Sequence, residues 1–219
     1  IYTFYVKKYA GVDPQTGESL YWQEKTTKNA QGEEVKEMVK TKSYSDATYH
    51  LAGTALPDAY GGFGTSLSYK GFDLSVDFTY QLGGKVYDGA YAASMGSPKA
   101  GDNGGAIHRD VLDSWTPTNT GVSIPRFVMN DQYTNSSSDR FLTSASYLSL
   151  DRINFGYTLP SSVVSHLRLS SLRFYVSADN IVYWSKRKGL DPRQSLTGAS
   201  NTTMYSPIRT VSAGVTVNF

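Results

Sequence analysis

Few residues in this sequence could do covalent or metal chemistry, and their spacing is wrong for it. His50, His108 and His166 lie far apart and have no ligand at metal spacing beside them. There is no cysteine, so disulfides and thiolate metal sites are excluded. Serine and threonine are plentiful, yet no G-x-S-x-G nucleophile signature occurs. Asp102-Asn103-Gly104 could start a calcium loop, but the further oxygen ligands are missing and a plain Asx turn is the expected structure. Asn135-Ser136-Ser137 and Asn201-Thr202-Thr203 match the glycosylation pattern, which by itself says nothing about function. Lys186-Arg187-Lys188, the one dense basic cluster, reads as a solvated loop. With 21 basic and 19 acidic residues spread along the chain, there is no concentrated basic face for nucleic acid. No catalytic residue, metal or cofactor is expected.

Recognition is the chemistry that remains. Trp115, Tyr133 and Tyr205 could stack on sugar rings or flank peptide side chains, with Arg109 and Arg140 as polar companions, or they could pack loop on loop. Asp73, Asp77, Arg152, Arg173 and Asp179 form a second set, and the elements that carry them decide where they point.

Those elements are strands. Phe72, Leu74, Val76, Phe78, Tyr80 and Leu82 alternate with Asp73, Ser75, Asp77, Thr79 and Gln81, which puts large apolar groups on one face and polar groups on the other. The same period recurs over 153–159, 172–179 and 210–219, and weaker strands fit 2–9, 19–27, part of 34–44 and 61–70. An aromatic content of 13% beside 20 glycines favours an all-β chain over a helical one. A soluble sandwich also alternates, but three features favour a membrane barrel. The strongest strands have about the ten residues a tilted strand needs to cross a bilayer. Tyr69, Tyr80, Tyr157, Tyr183 and Trp184 sit near strand ends, as interfacial girdles require. The connections are lopsided: Lys70-Gly71 is a tight turn, whereas 87–145 and 185–206 are long. Phe219 and the tight turn then share one rim, taken as periplasmic, and both long loops lie outside. Between strands, Val163, Val164 and Leu167 suggest one helical turn. Ile1 opens inside a strand, so the chain is expected to be part of something longer, paired along both edges with other polypeptide.

Several strings, in this order, resemble the C-terminal part of SusC/RagA-type TonB-dependent transporters. They are Gly11-Val12-Asp13-Pro14-Gln15-Thr16-Gly17, Pro57-Asp58-Ala59-Tyr60-Gly61-Gly62-Phe63-Gly64 and Tyr69-Lys70-Gly71-Phe72-Asp73-Leu74-Ser75. Trp115-Thr116-Pro117, Ile124-Pro125-Arg126, Arg140-Phe141-Leu142 and Ser146-Tyr147-Leu148 follow. Phe155-Gly156-Tyr157-Thr158-Leu159-Pro160, Leu172-Arg173-Phe174-Tyr175-Val176, Asp179-Asn180-Ile181, Gly189-Leu190-Asp191-Pro192 and the closing Phe219 complete the series. The resemblance covers nearly all of 1–219.

The resemblance implies an antiparallel transmembrane β-barrel of about twenty-two strands, of which this chain would hold roughly the last seven or eight. It implies a Gram-negative, Bacteroidetes-like outer membrane. The partners would be a SusD-like lipoprotein lid, the rest of the barrel and its plug, outer-membrane lipid, and TonB through an N-terminal part absent from these residues. The implied function is TonB-dependent import of a glycan, with oligopeptide as the alternative cargo. A secreted carbohydrate-binding β-sandwich and an outer-membrane hydrolase are the remaining readings. Asp73, Asp77, Arg152, Arg173 and Asp179 would face the lumen or plug. Trp115, Tyr133, Tyr205, Arg109 and Arg140 would contact substrate or lid, and Phe219 would serve as the barrel-assembly signal.

Overall fold

A computed structural model describes residues 2–101, 104–195, 197–200 and 205–219. Asp102 and Asn103 of the expected Asx turn, Asn201-Thr202-Thr203, Ile1 and part of the 185–206 segment lie outside the described residues. In chain order the strands are β1 (Thr3–Lys7), β2 (Tyr9–Val12), β3 (Ser19–Lys28), β4 (Glu34–Thr41), β5 (Tyr49–Thr54), β6 (Ala59–Tyr69), β7 (Phe72–Leu82), β8 (Lys85–Asp88), β9 (Leu142–Ser144), β10 (Tyr147–Thr158), β11 (Ser171–Ser185), β12 (Ala199–Ser200) and β13 (Thr210–Asn218). Two short helices, α1 (Gly89–Ser94) and α2 (Ser161–Val164), interrupt them. The turn expected around Val163 and Val164 is α2, which buries Val164. No helix among the described residues is long and apolar enough to cross a membrane.

The chain divides into two compact units. The second unit is built on one antiparallel sheet in the order β13-β11-β10-β7-β6. The strands expected at 61–70, 72–82, 153–159, 172–179 and 210–219 are all here. At one end of the sheet, Lys70 (φ 47°) and Gly71 (φ 88°) close the β6–β7 hairpin in two residues, both left-handed as a primed turn requires. A Cβ on Gly71 would also meet the Thr158 carbonyl oxygen at 2.5 Å, so both dihedral and space call for glycine. The β10–β11 link, with α2, leaves from that same end, and β13 finishes there, where Asn218 pairs with Ser171.

The register separates two chemistries. Phe63, Phe78 and Leu150 align across β6, β7 and β10, and Leu74, Phe155, Val176 and Ala213 continue the apolar face. Phe72 stacks on Tyr157 with ring centroids 4.3 Å apart, near the tight turn. Many of these side chains stay exposed, among them Phe63, Phe72, Phe155, Phe174, Val176 and Val215. The core of a sandwich would be buried, whereas a lipid-facing barrel wall needs this exposed, continuous apolar face.

Parity along β10 changes in mid-strand. Leu148 and Leu150 precede the change and Ile153, Phe155 and Tyr157 follow it, and a bulge at Asp151 absorbs the extra residue, keeping both halves apolar on one side. Tyr183 corrects one expectation. It pairs with Ser149 and lies on the polar side, while Trp184, paired with Leu148, takes the apolar side; adjacent residues of a strand cannot both join a girdle.

The first unit contains β1 to β5 and most of the segment between β7 and β10. The strands expected at 2–9, 19–27 and 34–44 exist, but they build two small sheets here, β1-β5 and β2-β3-β4. The five-stranded sheet therefore holds five of the expected strands. The long 87–145 loop is folded. α1 is capped by the Asp88 carboxylate, which accepts from the Tyr91 N–H at 3.0 Å. Met95 and Phe141 from this segment are fully buried, as are Tyr21 and Val86. Tyr87 and Tyr91 approach Phe141 edge-on. Full burial of one such side chain contributes about 1.5–3 kcal/mol, enough to make the segment part of a core.

Candidate functional site

The five charged residues Asp73, Asp77, Arg152, Arg173 and Asp179 share the polar side of the five-stranded sheet. Arg173 on β11 reaches across β10 to Asp73 on β7, its Nε donating to Oδ1 at 3.2 Å and its NH2 group to Oδ2 at 2.5 Å. The path crosses Gly156, where a Cβ would lie 2.7 Å from both the guanidinium carbon and a carboxylate oxygen. Glycine thus lets a salt bridge span two strand spacings. Arg152 donates to its cross-strand partner Asp179 at 2.8 Å and has Asp77 opposite it on the other neighbour. Solvent screens exposed pairs of this kind, so each contributes little net stability. Their main effect is to present a fixed pattern of alternating charge.

A third group on this side was missed by sequence reasoning. Arg193 grips Asp191 through two donors at 2.9 and 2.8 Å, and donates to Ser149 at 2.8 Å. Ser149 in turn donates to Asp151, the bulge residue. Asp191 also accepts from the Arg193 backbone N–H, closing the Pro192–Gln194 turn. The Asp191-Pro192 pair was visible within a family-like string, but nothing in its spacing tied it to a bulge forty residues upstream.

In the first unit a charged cluster organises the Asp13–Gly17 turn. Lys42 pairs with Asp13 at 2.6 Å and Glu18 at 2.7 Å, holding both carboxyls below their usual range. Arg126 pairs with Asp131 at 3.0 Å, which raises its pKa, and lies over the Tyr133 ring, 5.2 Å from its centroid. Tyr133 donates to Glu18 at 3.2 Å, while partial burial pushes its own hydroxyl pKa up. The Trp115 indole N–H donates to the Pro14 carbonyl at 3.1 Å, and its ring lies against Gly17. Two strings noticed separately in the sequence, Asp13-Pro14-Gln15-Thr16-Gly17 and Trp115 through Arg126, therefore pack on each other.

The other loop candidates are scattered. Arg140 donates to the Thr134 carbonyl and lies over Tyr9, whose hydroxyl is pushed up to about 12 by burial, with Arg140 opposing. Arg109 is exposed at the start of the Arg109–Asp113 turn. Tyr205, in the second unit, is 91% exposed and has its ring face available. The structure brings Tyr133 near Arg126 and Glu18 but gathers no site from Trp115, Tyr133, Arg109 and Arg140 together. The histidines are tied locally: His50 to the Val6 carbonyl and Asp139, His108 to Asp110, His166 to the Ser162 carbonyl.

No protein-family model matches the chain. It is 30% identical over 185 residues to TonB-dependent receptor P3 of Formosa agariphila, and 25% identical over 178 residues to TonB-dependent receptor P26 of the same organism. These matches take in 80% and 77% of this chain but 18% of each relative. Among solved structures, the RagAB peptide importer in its closed-closed state matches with a TM-score of 0.74 and 26% identity. Its open-open state matches at 0.75 and 25%; each match covers 99% of this chain and 23% or 22% of the other. The sequence matches take in about four-fifths of the chain and the fold matches nearly all of it.

The chain is a section of a SusC/RagA-like TonB-dependent transporter.

Its five-stranded sheet is accordingly a section of an outer-membrane barrel, with Phe72, Phe155 and Val215 exposed on its apolar face. The section spans about a fifth of the length of the relatives it matches.

Proposed function

We propose that this chain forms part of the wall and outer loops of a transporter that imports an oligomeric nutrient across the outer membrane, driven by TonB. A SusD-like surface lipoprotein is its partner. The observation that carries the reading is the two-faced sheet: one continuous apolar face, and opposite it the ladder of Asp73–Arg173, Arg152–Asp179 and Arg193–Asp191, within a fold shared with the RagAB importer. Hydrocarbon tolerates no free strand edge, so the rest of the barrel pairs with β6 and β13. The ladder then faces the lumen, where charge pairs bond to a plug and present few unpaired groups to passing cargo. No covalent step is required.

The folded 87–145 segment is the proposed lipoprotein contact. Leu112, Val128 and Met129 remain exposed on it, apolar surface that a purely solvated loop would not keep. Glycan is the first reading for cargo, resting on the loop aromatics. Oligopeptide is the second, favoured by the likeness to a peptide importer and by the packing of Trp115 within the chain.

The test uses the full-length protein in its own cell. Uptake of labelled oligosaccharides and oligopeptides is compared between wild type, a deletion of the transporter and a strain lacking TonB, with copurification of the lipoprotein from detergent extracts. Import that is lost in both mutants, together with copurification, is the expected result. Uptake that persists without TonB would overturn the reading.

A further inference from the structure

A cavity of about 380 Å³ opens in the first unit between the segment after β4 and the residues before the Asp139–Phe141 turn. Tyr44 and Tyr133 supply aromatic walls, Ser43, Ser45 and Gln132 uncharged polar groups, and Lys42 one margin. We propose that this cavity binds one neutral sugar unit of an oligosaccharide cargo. The proposal rests on the import reading above and narrows it to a substrate class.

The size is at the small end of ligand pockets, room for a single ring rather than an extended polymer. Its two aromatic walls are already fixed. Tyr44 donates to the Ser137 carbonyl at 2.8 Å, meets the buried Tyr21 edge-on, and has the Lys7 ammonium 4.1 Å from its ring centroid. Tyr133 is held by Glu18 at its hydroxyl and by Arg126 at its ring. Rings immobilised beforehand cost a ligand little ordering entropy, and a tyrosine ring offers the apolar surface on which the C–H face of a sugar rests.

The charges bordering the cavity are satisfied among themselves. Lys42 has two carboxylate partners, Asp13 and Glu18, and Arg126 has Asp131 and Glu18. A uronate, sulfate ester or charged peptide terminus would have to break one of these pairs. Neutral hydroxyls need not. Gln132 is exposed and its amide supplies donors and an acceptor together, while the Ser43 and Ser45 hydroxyls, 2.8 Å apart, present acceptor lone pairs. Such a mixture of donors and acceptors suits groups that both give and take hydrogen bonds. An extended peptide would seek a strand edge. The strand residue lining the cavity is Tyr21 of β3, which is already paired with Tyr9 and Thr41 on its two sides.

Calorimetric titration of the purified full-length transporter with its lipoprotein tests the assignment. The probes are neutral gluco- and manno-oligosaccharides, an oligogalacturonate and a tryptic oligopeptide mixture; the variants are Gln132→Ala and Ser43→Ala. A neutral oligosaccharide should bind the wild type, and each variant should weaken it about tenfold, which is about 1.4 kcal/mol. Binding of only the uronate or the peptides, no binding of any neutral probe, or affinities unchanged in both variants would each overturn the proposal. TonB-dependent uptake in the same strains separates the two claims. Uptake retained with binding unchanged in both variants removes the cavity and keeps import, whereas uptake independent of TonB removes import whatever the cavity binds.

Discussion

Gly156 shows how much one missing side chain can decide. The Asp73–Arg173 bridge exists because nothing projects from β10 between them. In the full-length protein, Gly156→Ala should lower the temperature at which the folded barrel loses its compact mobility on detergent gels by a few degrees. Arg173→Ala should have a comparable effect, and the double variant should be little worse than either, since both remove one interaction. Additive losses would mean that Gly156 acts through something other than the bridge. The Lys42 cluster gives a pH prediction. Asp13 and Glu18 have folded-state pKa values below their ordinary 3.8 and 4.5, so their contribution is present above those values and fades as pH falls through the depressed ones. Lys42 is raised above 10.5, so its contribution is present below that value and fades as pH rises past it. Protection of the Gly17 amide, which donates to the Asp13 carbonyl at 2.8 Å, should therefore be flat from neutral pH down to about 4.5 and fall below it. Lys42→Met should lower protection at neutral pH and flatten the acid limb; hydrogen exchange matching the wild type throughout would contradict this.

Among the elements, the 85–143 segment departs most from the sequence reading. A tight turn in place of residues 87–145 would do more than trim a solvated loop. With Phe141 and Met95 at zero exposure in the first unit, such a deletion removes core. A milder test is Phe141→Ala, which should cost about 3–5 kcal/mol. Limited proteolysis should then cut within 1–55 and 85–143 while the β13-β11-β10-β7-β6 sheet stays protected. Equal sensitivity of both units would show that they do not unfold separately. The strand elements were more legible. Period-two alternation located β7, β10, β11 and β13, because a strand with lipid on one side and polar groups on the other has no freedom in its pattern. The Asp151 bulge was not read from the sequence: the parity switch between Leu150 and Ile153 has meaning only once pairing with β7 identifies the inserted residue.

For the whole molecule, Phe219 offers a test that separates assembly from transport. Phe219 is 92% exposed and follows the strand that ends at the tight-turn rim. We propose that Phe219 serves as a recognition signal for barrel assembly, a role worth far more than the ~1.5–3 kcal/mol that burying one such ring contributes. Deleting it should reduce the amount of heat-modifiable barrel in the outer membrane at least severalfold, with uptake per assembled molecule unchanged. Normal assembly with impaired uptake would refute the signal role.

What the sequence determined by itself was local and periodic. The alternation around Phe72–Leu82 and Val211–Phe219, the tight Lys70-Gly71 turn, and the order of family-like strings around them sufficed for a barrel wall and a transporter family. Each depends on neighbours within a few residues, where strand geometry translates directly into pattern. Tertiary structure alone decided which distant groups meet. Arg193 finds Ser149 at the β10 bulge, Trp115 finds Pro14 and Gly17, and Tyr44 and Tyr133 become two walls of one cavity. Side chains 44 to 101 positions apart leave no period in a sequence. In the first unit such contacts arise as chain entropy is overcome by burial of side chains such as Phe141, Met95 and Tyr21, a many-body balance that no single spacing encodes.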